Sequence, residues 1–149
     1  MRVELKLFSE LDIHELYAIL HLRSEIFVVE QNCVYLDTDY KDQDSYHLLV
    51  WGEKGYLVGY CRILPPGLAY SMESSIGRVV TKMEERRTGL GIKMMEWVIE
   101  HTLQLFPHNP IRIEAQSYLI PFYSRFGFLE EGEDYILDGI PHREMILTP

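Results

Sequence analysis

The sequence predicts a mixed α/β fold in three layers, α/β/α, and three observations carry that reading. Short runs with period-2 alternation or β-branched content recur along the chain. Between them stand longer stretches whose apolar residues return at helical spacing, and helices recurring between strands cover a sheet on both faces. No internal repeat, low-complexity tract or long linker divides the 149 residues, so one domain is expected over 1–149.

Val3 to Phe8 alternates apolar and polar positions and reads as a half-buried strand. Ser9 followed by Asp12 resembles an N-cap with an acidic first turn, and the helix it opens runs through Leu11, Leu16, Ile19, Leu20 and Leu22. A second short helix is expected from Arg23 to Glu30, with Ile26, Phe27 and Val28 inward. Residues 32–45, with Asp37, Asp39, Asp42 and Asp44, read as a solvated loop near a substrate entrance. They lack the central Gly and terminal Glu of an EF-hand, and no metal is expected. Tyr46 to Trp51, the Gly52-Glu53-Lys54-Gly55 turn and Tyr56 to Leu64 form a hairpin, which Pro65-Pro66-Gly67 stops. Ser75 to Thr81 is a strand, and a helix follows from Gly89 or Leu90 to about Leu105, ended by Pro107 and Pro110. Ile111 to Ala115 is a strand, and Leu119 to Phe126 a short helix capped by Gly127. Two last strands, Tyr135 to Leu137 and His142 to Leu147, flank the Asp138-Gly139 turn.

Hydrophobic residues at 47% make the chain globular, and a net charge of −9 argues against nucleic acid, whose binding rests on Lys and Arg neutralising phosphates. No apolar stretch approaches the roughly 18 residues of a membrane span, and the N-terminus has no signal-peptide core. Cys33 and Cys61 lie far apart and form no metal-type pair, so a reduced, cytoplasmic setting is expected. Oligomeric state stays open, a homodimer included.

Chemistry concentrates in Arg86-Arg87-Thr88-Gly89-Leu90-Gly91, a turn between a strand and a long helix. The first N–H groups of a helix lack internal partners and stand at the positive end of its dipole, so a phosphate or pyrophosphate is the natural guest. The G-x-G-x-x-G spacing of a dinucleotide turn is absent, and no Gly-Lys-Ser/Thr follows as in a P-loop. Alone, the turn is equally an ordinary glycine turn with surface arginines. The second segment, Phe122-Tyr123-Ser124-Arg125-Phe126-Gly127-Phe128, shifts that balance.

Together the two segments resemble the GNAT superfamily of acetyl-coenzyme A-dependent N-acetyltransferases: the first its R/Q-x-x-G-x-G/A pyrophosphate loop, the second its Y-x-x-x-G-F segment. Phe27 to Cys33, His47, Gly77-Arg78-Val79-Val80, Ala115-Gln116 and Asp138 to His142 resemble its ElaA-like branch, over nearly the whole chain. The resemblance implies a mixed, mostly antiparallel central sheet and acetyl-CoA as co-substrate. It implies that Val79, Val80 and Thr81 hold the pantetheine arm and thioester carbonyl, and that Arg86, Arg87, Thr88, Gly89, Leu90, Gly91 and Ile92, with Phe122 and Arg125, bind the cofactor. Tyr123 matches the tyrosine that protonates the departing thiolate. Ser117 stands where many relatives carry Asn, and Gln116 is the candidate to replace it.

The expected activity is direct transfer of an acetyl group to the amine of a small-molecule or peptide acceptor. A lysine-like amine, with a pKa near ~10.4, must lose a proton first, which costs roughly 4–5 kcal/mol at pH 7. A general base helps, and Glu30, His47, Glu114 and His142 are the candidates, each with a structural role as its alternative. A backbone N–H of Val79–Val80 is the candidate oxyanion donor. Cys33 as an acetyl-accepting nucleophile is less favoured, because no neighbour in sequence obviously lowers its pKa. Rival readings are a longer acyl-CoA donor, a non-catalytic coenzyme A sensor or scaffold, and a nucleotide-binding module.

Overall fold

The computed structural model describes residues 1–149. Seven strands, β1 (Arg2–Leu7), β2 (Tyr46–Trp51), β3 (Leu57–Leu64), β4 (Ser74–Thr81), β5 (Ile111–Gln116), β6 (Leu129–Leu137) and β7 (Ile140–Leu147), form one sheet in the order β1-β2-β3-β4-β5-β7-β6. Only β4 and β5 run parallel, joined through helix α2 (Leu90–Leu105). The sheet is therefore mixed and mostly antiparallel.

Strand alternation sorts the core into two layers. Leu48 and Val50 of β2 pack with Met94, Met95 and Val98 of α2 on one face. Leu49 between them packs with Ile19 and Leu22 of α1 (Ile13–Arg23) on the other. Because successive side chains point to opposite faces, one apolar strand supplies both cores. That is why β3 is buried at every position.

Two departures from regularity make the cleft. β4 and β5 pair only at Ser74↔Ile111 and Ser75↔Arg112, while β5 pairs with β7 along its whole length. Beyond Ser75 the two parallel strands splay apart. On the other side of β4, Tyr60 faces Val80 and Arg62 faces Gly77, so Arg78 and Val79 together oppose Cys61. This is a β-bulge, and Arg78 takes a left-handed φ of 52° to make it. A bulge bends its strand away from the ladder, so β4 leans out of register where β5 leaves it.

Most element boundaries fall within a residue or two of expectation. Four do not. Arg23 to Glu30 is no separate helix: α1 runs on without a break into wider π-type turns over Ser24–Glu30, closed by Gln31 N–H donating to the Ile26 carbonyl at 3.1 Å. α3 is shorter than expected, Ile120–Ser124. β6 begins at Leu129, because its charged stretch Glu130 to Asp134 lies on an exposed edge strand, where no apolar alternation is required. Finally, the carboxylates of 32–45 are not all solvated: Asp37 and Asp42 are buried. No helix is long and apolar enough to cross a membrane.

Candidate active site

A cleft of about 710 Å³ opens where β4 and β5 part. Val79, Val80 and Thr81 line it from β4, Glu114 and Gln116 from β5, His142 from β7, and Glu30 and Gln31 from the π-type turns. A second cavity of about 330 Å³ lies against the start of α2, lined by Arg86, Arg87, Gly89, Gly91, Ile92, Phe122 and Arg125. Val79, Val80, Thr81, Arg86, Leu119 and Tyr123 line both. The two cavities thus meet at Val80 and Tyr123.

Gly89 caps α2 with a left-handed φ of 86°, a conformation that glycine adopts without a Cβ penalty. No side chain caps this helix and no carboxylate sits in its first turn. The N–H groups of the first turn are left for an external anion at the positive end of the dipole. Leu90 and Thr88 can offer only backbone here. The Leu90 side chain is buried in the core, and the Thr88 hydroxyl donates to the Glu85 carbonyl at 2.5 Å.

Tyr123 sits on α3 with its ring edge-on to Phe122 and Phe128. The ring is held by packing, and burial pushes the phenol pKa up, so the hydroxyl stays protonated across the neutral range. The hydroxyl thus stands at the junction of the two cavities with its proton in place.

Glu30 and Arg86 form a two-pronged ion pair, Nη1–Oε1 and Nη2–Oε2 both 2.6 Å. These hydrogen bonds from Arg86 lower the Glu30 pKa. As the pair stands, Glu30 is a weak base, and Arg86 is turned to the wider cleft. His142 is buried, stacked on Tyr135, with Nδ1 2.7 Å from the Ile140 carbonyl. A carbonyl only accepts, so in the neutral ring Nδ1 carries the hydrogen and Nε2 presents a lone pair. Glu114 Oε2 accepts from Tyr135 Oη at 2.6 Å. Cys33 lines the cleft, with Sγ 3.3 Å from the Asp138 carbonyl, while Cys61 is fully buried and burial pushes its thiol pKa up.

His47 does not belong to the site. It is buried, with Nδ1 2.7 Å from Tyr60 Oη and Nε2 2.8 Å from the Asp42 carbonyl, so neither nitrogen is left for a substrate. Burial lowers its pKa below the ordinary 6.5. The unfolded chain takes up a proton first, so this histidine costs stability as pH falls below about 6.5. Denaturant titrations of His47→Asn should show a flatter pH dependence between about 6.5 and 5 than the parent chain.

The acidic loop folds onto arginines. Arg23, wholly buried, donates from Nε to Asp37 Oδ2 at 2.7 Å and from Nη1 to Asp42 Oδ1 at 2.8 Å. Arg62 donates to Asp39 and Asp42, and Arg78 Nε lies 2.8 Å from Asp37 Oδ1. Arg62, Arg78, Asp39 and Lys41 line the cleft, yet none stands out in sequence as functional. Their partners lie far along the chain, so only the Gly77-Arg78-Val79-Val80 signature marked any of them.

A mixed sheet splayed between two parallel strands, with an uncapped helix N-terminus on one side and a polar cleft on the other, defines an acyl-CoA-dependent acyltransferase of the GNAT type. The profile of the acetyltransferase (GNAT) domain matches residues 26–149, and the chain belongs to that family. Within it the chain is ElaA-like: it is 41% identical to protein ElaA of Escherichia coli over 137 residues, covering 90% of this chain and 88% of that one. The crystal structure of E. coli ElaA matches with a TM-score of 0.92 at 37% identity, over 99% of this chain and 100% of that one. An acyl-CoA N-acyltransferase from Pseudomonas aeruginosa matches with a TM-score of 0.93 at 37% identity and the same coverage.

Proposed function

We propose that the chain transfers the acetyl group of acetyl-coenzyme A directly to the amine of an acceptor. The observation that carries this is Tyr123, a phenol kept protonated by burial, where the cavity at the start of α2 meets the wider cleft. The residues present fit coenzyme A. The uncapped first turn of α2, with Arg87 and Arg125 on the cavity wall, suits a pyrophosphate, and the strand edge freed by the β4–β5 splay suits the amide-bearing pantetheine arm.

In this reading the acceptor amine loses its proton to Nε2 of His142, or to Glu114 through water, and attacks the thioester carbon. The N–C bond forms, the nitrogen gives its second proton to solvent as the amide is made, and the C–S bond breaks. Tyr123 donates its proton to the departing sulfur and regains one from solvent. A backbone N–H at Val79–Val80 is the oxyanion donor, and the bulge frees that stretch from regular pairing with β3.

Glu30 and the pyrophosphate compete for Arg86. Glu30→Gln is expected to tighten coenzyme A binding up to about fivefold, the worth of an exposed ion pair. The same variant is expected to lower kcat/KM for the amine, because the released carboxylate would hold the cationic acceptor. Calorimetry and steady-state kinetics check the two signs separately.

The direct test is thiol release from acetyl-, butyryl- and hexanoyl-CoA across a panel of amines. Acetyl-CoA is expected to give the highest kcat/KM. A longer chain turning over faster would reassign the donor. Binding of coenzyme A with no release from any amine would make the chain a sensor. Intact-protein mass spectrometry without acceptor should show no acetyl group on Cys33; finding one would replace direct transfer by a two-step route.

A further inference from the structure

The two walls of the cleft have opposite leftovers once every internal hydrogen bond is counted. The β3–β4 wall carries Arg62, Arg78, Asp39 and Lys41. Its acceptors are used up: Asp39 Oδ1 takes Arg62 Nη1 at 2.9 Å and the Lys41 N–H at 3.1 Å, and Oδ2 takes Arg62 Nη2 at 2.6 Å. Asp37 and Asp42 behind it are buried and held by Arg23. Donors are left over. Arg62 is only 3% exposed, and its Nε has no partner. Arg78 donates Nη2 to the Asp37 carbonyl, while its Nε, 2.8 Å from Asp37 Oδ1, makes no hydrogen bond, leaving Nε and Nη1 unspent. Lys41 makes no ion pair.

Across the splay, the β5–β7 wall has the reverse surplus. Glu114 spends Oε2 on Tyr135 and keeps Oε1. His142 spends Nδ1 on the Ile140 carbonyl and keeps Nε2. Asp138 in the β6–β7 turn lines the same side, its carboxylate without an ion pair. One wall therefore needs acceptor atoms from its guest, and the other needs donors.

We propose, resting on the acyl-transfer reading of this cleft, that the acceptor is a zwitterion: an amine facing Glu114 and His142 that also bears a carboxylate, bound by Arg62, Arg78 and Lys41. An amino-acid-like molecule has this chemistry. A buried polar group left without a partner is costly, so a built site presents such groups to its ligand. The charge count selects a carboxylate over a phosphate. Arg23, Arg62 and Arg78 offset Asp37, Asp39 and Asp42, three against three, so Lys41 alone adds net charge to this wall. One positive charge suits a monoanion and under-neutralises a phosphate dianion.

The test pairs each of the common amino acids with its C-terminal amide as acceptor, with acetyl-CoA as donor and thiol release as readout. At least one acid is expected to exceed its amide by tenfold or more in kcat/KM. Lys41→Gln, at the rim, and Arg78→Gln should each pull that ratio toward one. Amides matching or beating their acids throughout, or a ratio that survives both substitutions, overturns the proposal. If no pair releases thiol, the acetyl-transfer reading is at fault, and calorimetry with coenzyme A present decides the subsite. N-acetylamino acids binding where their amides do not supports it, and equal or absent binding overturns it.

Discussion

Tyr123→Phe is expected to lower kcat by about 10²-fold, the usual contribution of a positioned general acid. The dissociation constant for coenzyme A should hardly move. The ring's packing against Phe122 and Phe128 survives the change, so the melting temperature should not fall. What disappears is a single O–H at the meeting point of two cavities. Because burial keeps the phenol protonated, the deficit should stay constant from pH 6 to about 9 rather than open at one end. A loss confined to KM would mean that Tyr123 only shapes the pocket. An unchanged kcat would pass the proton to water or to another donor.

The second large effect concerns stability. Asp42→Ala removes the carboxylate that joins Arg23 and Arg62, both nearly inaccessible to solvent. Breaking a buried ion pair from one side strands the remaining charges and costs about 3–5 kcal/mol. For a chain of this size that is roughly a 10 °C fall in Tm. Burial alone would favour the neutral acid. Hydrogen bonds from Arg23 and Arg62 outweigh it and hold the Asp42 carboxyl below its ordinary 3.8. A depressed carboxyl stabilises the fold above the unfolded-state value and loses that contribution as pH falls through the folded-state value. The parent chain should therefore lose stability below about pH 4, and Asp42→Asn should show a shallower loss there while starting lower at pH 7. Thermal melts from pH 2 to 7 on both chains measure this. Equal slopes would assign the acid response to other carboxylates.

Much of the fold was legible because local patterns and tertiary demands agree. β2 and α2 fall where alternation and helical spacing place them, since each buries the stripe or faces that its sequence writes. The edge strand β6 was mostly missed for the opposite reason. It buries little, so its residues carry no apolar signal. The π-type turns after α1 look like a second helix in sequence because their apolar content is helical, while the wider hydrogen bonding that carries Glu30 to the cleft leaves no mark in residue types. His47 reads as a candidate base because a histidine opening a strand looks alike whether it faces a cleft or, as here, a carbonyl.

The segment from Arg86 to Gly91 needed no tertiary information to read as an anion cradle, since it works through backbone N–H groups and glycine conformations that are local in the chain. The same holds for the alternation that builds the sheet. The wider cleft is different. Its polarity rests on which donors and acceptors are already spent, and those pairings span separations such as Arg62 with Asp39 or Arg78 with Asp37. Charges alone made the 32–45 loop look solvated. Three-dimensional pairing buried Asp37 and Asp42, offset them and Asp39 with arginines and left the spare donors facing the cleft, because the energy of a charge depends on its partner and its distance from water, and residue order records neither.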